Sequence, residues 1–226
     1  MQNKIICSVI FAFLLLSLSS CAVSTSELPS TGGANTAASA SAAMPAPDLT
    51  PPSSAGSVLP SGDGLIRVTL PVNLLGGKDA ATYADEAMSE SAFFTDVTAN
   101  FDGTVTCVFT PLQYLAYKGR IYTLGHMENL DPTTIISTVY NDDRMTDITV
   151  FVNKDSYGSW GAAYTLDRYA TTLMLAVTAG TFQILCGVPP DEWHVTITIK
   201  DAATGEIIGT AVYPNPNMYK GYPFTS

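Results

Sequence analysis

The tightest constraint on this chain's fold is a run of strict alternation near its C-terminus. Trp193, Val195, Ile197 and Ile199 share one face of an extended segment, and His194, Thr196, Thr198 and Lys200 share the other. Period two is the signature of a β-strand with one buried side. A turn ending in Thr204-Gly205 sends the chain back into Ile207 to Tyr213, so the run predicts a hairpin. The pattern recurs upstream. Ile66, Val68 and Leu70 share a face, as do Val105, Cys107 and Phe109, and Ile148, Val150 and Val152. Asp102-Gly103, a strong hairpin turn, joins the strand at 105 to one around Thr95 to Phe101. Asn141-Asp142-Asp143-Arg144 joins the strand at 148 to one around Ile135 to Tyr140.

Helices are expected between these hairpins. One spans about Asp79 to Ser89. A second starts at Thr110 as N-cap, with Pro111 in the first helical position and Gln113 completing a capping box. Proline costs nothing there because its missing N–H would have no helical partner anyway. This helix runs to about Gly125. The third spans about Ser159 to Leu185, and Gly187 with Pro189-Pro190 stops it. The expected fold is α+β: an antiparallel sheet built from hairpins, with about three helices packed mainly on one face. It occupies residues 64–213, and a Pro/Asn/Tyr-rich tail follows at 214–226. The uncharged stretch Tyr169 to Pro190 carries Thr171, Thr172, Thr178, Thr181 and Gln183, which suits a buried helix better than a membrane span.

Charge limits the choice of partners. Apart from Lys4, the chain beyond residue 21 carries nine basic and 20 acidic residues, a net of −11. Such a surface repels nucleic-acid backbones and anionic lipid headgroups, so neither is an expected partner.

The N-terminus reads as an export signal. Lys4 supplies the positive start and Ile5 to Leu18 an uncharged apolar stretch, short for a membrane span. Leu18-Ser19-Ser20-Cys21 follows, and it resembles the lipobox of bacterial lipoproteins. The resemblance implies cleavage before Cys21 and lipidation of its thiol, so residues 1–21 are the signal peptide with its acceptor. Two acyl chains on Cys21 would hold the protein on the outer face of a membrane. Residues 22–63 contain no aromatic residue, lysine or arginine and are dominated by Ala, Ser, Thr, Pro and Gly. A segment of this composition cannot offset its ordering entropy, so it is expected to be a disordered tether with a reach of roughly 35 Å. Leu28-Pro29-Ser30-Thr31-Gly32 inside it matches a sortase pattern, but no apolar span and basic tail follow.

Three short segments, Val68-Thr69-Leu70-Pro71, Asp102-Gly103-Thr104-Val105-Thr106 and Trp193-His194-Val195, resemble those of small exported lipoproteins from Gram-positive bacteria. The resemblance implies a cell-surface lipoprotein and brings no catalytic residues with it.

Motifs for chemistry are weak. His126 and His194 are the only histidines, with no CxxC, HxxxH or HExxH spacing, so no metal is expected. Gly76-Gly77-Lys78 lacks the frame of a P-loop and Gly158-Ser159-Trp160-Gly161 that of a nucleophile elbow, so neither a cofactor nor a catalytic residue is expected. Asp85-Glu86, Asp142-Asp143 and Asp191-Glu192 read as turn or helix-start residues. Export permits a disulfide between Cys107 and Cys186, and two buried thiols are the alternative. Tyr114, Tyr117 and Tyr122 could present exposed aromatics to a glycan or peptide, or they could pack over a sheet edge. The chain is therefore expected to be a membrane-anchored extracytoplasmic lipoprotein with a non-catalytic surface or binding domain. Two alternatives stay open: a glycan- or peptide-binding module using those aromatics, and an envelope hydrolase.

Overall fold

The structure, a computed structural model, describes residues 58, 60–90, 92–126, 135–158 and 161–219, without the side chains of 90, 158 and 161–170. The export signal, Cys21, most of the tether and the end of the tail lie outside the described residues. The domain is α+β. Its strands are β1 (Ile66–Leu70), β2 (Asp96–Ala99), β3 (Val105–Phe109), β4 (Ile135–Tyr140), β5 (Asp147–Val152), β6 (Val195–Asp201) and β7 (Ile207–Tyr213). Its helices are α1 (Ala80–Glu90), α2 (Pro111–Gly125), α3 (Lys154–Gly158) and α4 (Gly161–Leu185), and a 3-10 turn, Val72–Leu74, follows β1.

The predicted hairpins form, but they do not share one sheet. Strands β1, β3 and β2, in that order, make a three-stranded antiparallel sheet. Strands β4, β5, β6 and β7 make a second sheet, within which β5 and β6 run parallel. That pairing corrects the all-antiparallel expectation. A parallel pair needs a long crossover, and α3 with α4 supplies it. The helix expected from Ser159 is preceded by the separate short helix α3, where Asn153 Oδ1 accepts the N–H groups of Asp155 and Ser156.

Helix α4 explains the two sheets. From Ala179 to Cys186 every residue is buried, so its apolar surface extends all the way round. One sheet covers one side of such a helix. Here α4 touches β1 and the 3-10 turn of the first sheet, β6 of the second, and α2. At Gly180 the approach is closest. A Cβ built there would lie 2.6 Å from the Trp193 ring and 2.8 Å from Leu74 Cδ2. Trp193 is held by donating its indole N–H to Asn73 Oδ1 at 3.2 Å, and the Tyr219 hydroxyl donates to the Asn73 carbonyl at 2.7 Å. The start of the expected tail is thus packed on the domain, with Met218 buried.

The polar groups that α4 carries inside are satisfied. Gln183, 1% exposed, accepts the His194 N–H through Oε1 and donates to the His194 carbonyl through Nε2 at 2.8 Å. The amide thereby extends the backbone pairing of the segment leading into β6. Tyr213 donates to Thr172 Oγ1 at 3.3 Å.

Turn chemistry closes the hairpins. Asp142 accepts the N–H groups of Arg144, Thr146 and Asp147 and the Thr146 hydroxyl. Met145 in the same turn takes a left-handed φ of 58°, unfavourable for a side chain, and its buried thioether packs against Gly125. Burial raises the Asp142 pKa, but the four donors outweigh it and hold the carboxyl below its ordinary value. Asp79, Asp102 and Asp201 are lowered by hydrogen bonds to Thr82, Thr104 and Thr204, and Asp63 is lowered to about 2 by its bond with Arg67.

Gly180→Ala should cost about 1–3 kcal/mol through overpacking against Trp193. Gly119→Ala, where nothing lies within 4 Å of the new methyl, should gain about 1 kcal/mol from helix propensity. Denaturant unfolding of both variants checks the pair of signs. Depressed folded-state pKa values stabilise the fold above the unfolded carboxylate value, about 3.9. Unfolding free energy measured against pH should therefore stay level above about pH 4 and fall between there and about pH 2, with a shallower fall in Asp142→Asn.

Candidate functional site

Helix α2 carries the residues singled out for ligand contact, and its geometry inverts the expectation. The capping box forms: Thr110 Oγ1 accepts the Gln113 N–H at 3.3 Å, and Gln113 Oε1 accepts the Thr110 N–H at 2.9 Å. This start fixes which side of the helix faces in. Tyr114, Tyr117, Lys118, Ile121, Tyr122 and Gly125 follow the 3,4-spacing of one face, and all are buried. Tyr114 is 2% exposed, Tyr117 and Tyr122 8% each. None of the three tyrosines presents a surface to a glycan or peptide, and that use of them is withdrawn.

Their roles are internal. Tyr117 stacks among Phe93, Phe94 and Phe109 with ring centroids 5.0–5.8 Å apart. Burial pushes the Tyr117 and Tyr83 phenols up, so both stay neutral. The Tyr114 hydroxyl donates to the Leu185 carbonyl at the end of α4 and accepts the Val58 N–H at 3.2 Å. It therefore ties the segment at Val58 to the core. Tyr122, His126 and Tyr140 form a stack with centroids 4.2 and 4.1 Å apart, and His126 Nδ1–H donates to the Tyr122 carbonyl at 2.8 Å. Burial raises the Tyr140 phenol, whose hydroxyl is buried without a hydrogen-bond partner among the described residues.

Lys118 is 7% exposed, and its ammonium lies 5.9 Å from the Tyr114 and Phe182 ring centres. It also hydrogen-bonds Cys186. Cys107 and Cys186 are both buried free thiols, so the bridge that export would permit is not made. Cys107 lies in the middle strand of the first sheet, opposite Val68 and Val97, while Cys186 follows α4 beside Lys118. Each is boxed in by its own neighbours. Burial pushes Cys107 up to about 12; it also raises Cys186, against the pull of the Lys118 ammonium.

The remaining candidates stay apart. His194 donates Nδ1–H to the Glu192 carbonyl at 3.2 Å, at the entry to β6 and far along the chain from His126. Among the described residues no three His, Cys, Asp or Glu side chains gather as metal ligands would. Glu86 pairs with Lys78, Asp142 closes its turn, and Asp191 and Glu192 are exposed ahead of β6. Gly158-Ser159-Trp160-Gly161 falls largely outside the described residues.

Two features of α2 escaped the sequence reading. Its outward side is apolar: Leu112 is 78% and Leu115 63% exposed, with Ala116 and Thr123 also exposed. Arg120 flanks that stripe, one turn beyond Ala116. Its guanidinium lies 5.3 Å from the Phe93 ring centre, and Nη2 is buried with no hydrogen-bond partner among the described residues. Burial lowers its pKa, and among the described residues no carboxylate pairs with it. The rest of the side chain is only half-buried, so the guanidinium keeps contact with solvent along its other edge. Leucines at 112 and 115 were the available signal, but from spacing alone they could not be told from core.

Neutral, enclosed thiols do not react, because the thiolate is the nucleophile. In the folded chain at pH 8, a maleimide should leave Cys107 and Cys186 unmodified, and in guanidinium it should label both. Peptide mapping reads each site, and native-state labelling of Cys107 would contradict the burial described. No family model, curated protein or solved structure matches this chain.

Proposed function

We propose that this protein is an exported lipoprotein, held on the outer face of a membrane through Cys21, whose α+β domain binds a partner rather than catalysing a reaction. One observation carries the reading: the order of elements at the N-terminus. Lys4, the uncharged Ile5 to Leu18, and Leu18-Ser19-Ser20-Cys21 occur in the succession that export and lipidation need, and an aromatic-free stretch leads from them to the domain.

The physical consequences follow from the anchor. Two acyl chains give stable attachment, at about 0.8 kcal/mol per buried CH₂, where one would be marginal. A tether with a reach of roughly 35 Å allows the domain to search a shell of space above the lipid. The net charge of −11 beyond the signal favours standing off an anionic membrane over lying on it. The anchoring of Val58 by Tyr114 supports a tether that ends at a definite point on the domain.

Cys21→Ala should move the protein from the membrane pellet to the soluble or medium fraction, and mass spectrometry of the wild-type protein should find an acylated N-terminal cysteine. Retention of the variant in the pellet, or a bare first residue in the wild type, would refute the anchor.

A further inference from the structure

The two sheets end in four edge strands, and three of these are guarded. Strand β1 carries Arg67, paired with Asp63. Strand β2 is four residues long and begins with Asp96. Strand β4 is broken by a bulge between Ile135 and Ser137. Charge, brevity and bulges are what keep an edge from pairing with another chain. Strand β7 is different. Its seven residues carry no charge and no proline, and among the described residues no strand pairs with its outer side. Its one irregularity, opposite Lys200, lies at its start and leaves Gly209 to Tyr213 in register with β6. The only charge that flanks it, Glu206, is paired with Lys154.

The backbone of β7 has groups to offer. The Thr196 N–H donates to the Thr146 carbonyl on the β5 side, so by alternation Val195, Ile197 and Ile199 turn their backbone groups toward β7. Ile197 and Ile199 pair with Ala211 and Gly209. Thr210, between those two, therefore points its N–H and carbonyl away from β6, to the open edge. Val212 does the same: its carbonyl accepts the exposed Asn215 side-chain amide at 3.1 Å, and its side chain is 56% exposed.

What could pair there is written in the strand itself. Read outward from Thr210, the two directions match in size: Gly209 and Ala211 are small, and Ile208 and Val212 are β-branched. An antiparallel partner with the same sequence, centred on the same threonine, sets Thr210 against Thr210, each small residue against a small one and each branched residue against a branched one. Such a contact is isologous and closes as a dimer. A foreign strand would not require this symmetry.

We propose that β7 is a self-association edge, at which a second copy of this chain adds antiparallel about a twofold axis through Thr210 and joins the two four-stranded sheets into one. The inference concerns the domain alone and is independent of the lipid anchor. One strand pair buries less than a standard interface, and the acidic domains repel each other at long range, so the dimer is a weak one. Confinement to a membrane would favour it by raising the effective concentration.

Sedimentation equilibrium of the full chain in density-matched non-ionic detergent tests the proposal whether or not Cys21 is acylated, which mass spectrometry reads separately. A concentration-dependent dimer is expected. Thr210→Lys and Thr210→Glu each set like charges opposite each other and should weaken association about fivefold or more, while an equimolar mixture of the two should restore it. Both should keep the wild-type melting temperature, since the side chain is at an open edge. On phosphatidylcholine vesicles, mild oxidation should trap Thr210→Cys as a disulfide dimer, because paired Cα atoms about 5.5 Å apart are within bridging reach. Thr196→Cys, one strand further in, should stay monomeric, as should the wild type, whose Cys107 and Cys186 are enclosed. No disulfide in Thr210→Cys, equal trapping of Thr196→Cys, or Lys and Glu variants that associate as the wild type does would overturn the proposal. A chain that stays monomeric but takes up a labelled, extended Val/Thr peptide would overturn it too, and would assign the edge to a foreign strand.

Discussion

Everything in this domain is arranged around a helix that cannot face water on any side. The last two turns of α4 are buried all round, so the chain must supply cover in every direction. Two sheets and a neighbouring helix provide it, and the separation of the sheets follows from that demand. The closest contact, Gly180 against Trp193, sets how near the helix lies to the second sheet's entry and to the 3-10 turn of the first. Asn73 fixes the other side of the Trp193 ring and the start of the C-terminal tail. One small residue in the helix thus couples segments more than a hundred positions apart.

The buried polar groups on α4 add direction to this packing. A fully apolar helix could rotate between its covers at little cost. Gln183 removes that freedom, because its amide is satisfied only when it meets both backbone groups of His194. Tyr114 does the same at the helix end, where its hydroxyl bridges the Leu185 carbonyl and the Val58 N–H. The position of Val58 is therefore determined by the same core that holds α4.

The tyrosines of α2 show how aromatic residues on a helix can mislead. Aromatic residues on a surface helix suggest a contact platform, yet here they fill the space between α2, α4 and the first sheet. Inward tyrosines leave leucines outside, and the outward side becomes the apolar one. Arg120 sits on the boundary between the two sides, half-buried, with its guanidinium over Phe93 and one nitrogen without a partner among the described residues.

Local chemistry was legible without a structure. Alternation identified the strands, because side-chain direction in an extended chain depends only on parity. Thr110-Pro111 with Gln113 identified the start of α2, because capping involves neighbours in sequence. Asp102-Gly103 identified its hairpin for the same reason, and Gly103 takes the positive φ of 83° that the turn requires. The order of charge, apolar stretch and cysteine at the N-terminus is likewise a property of the chain alone. Tertiary structure decided the rest: the division into two sheets, the parallel pairing of β5 with β6, the inward side of α2, the separate burial of Cys107 and Cys186, and the placing of Arg120 over Phe93. Each depends on which surfaces meet across long stretches of chain, and hydrophobic attraction has no direction of its own to record that choice in the residues beforehand.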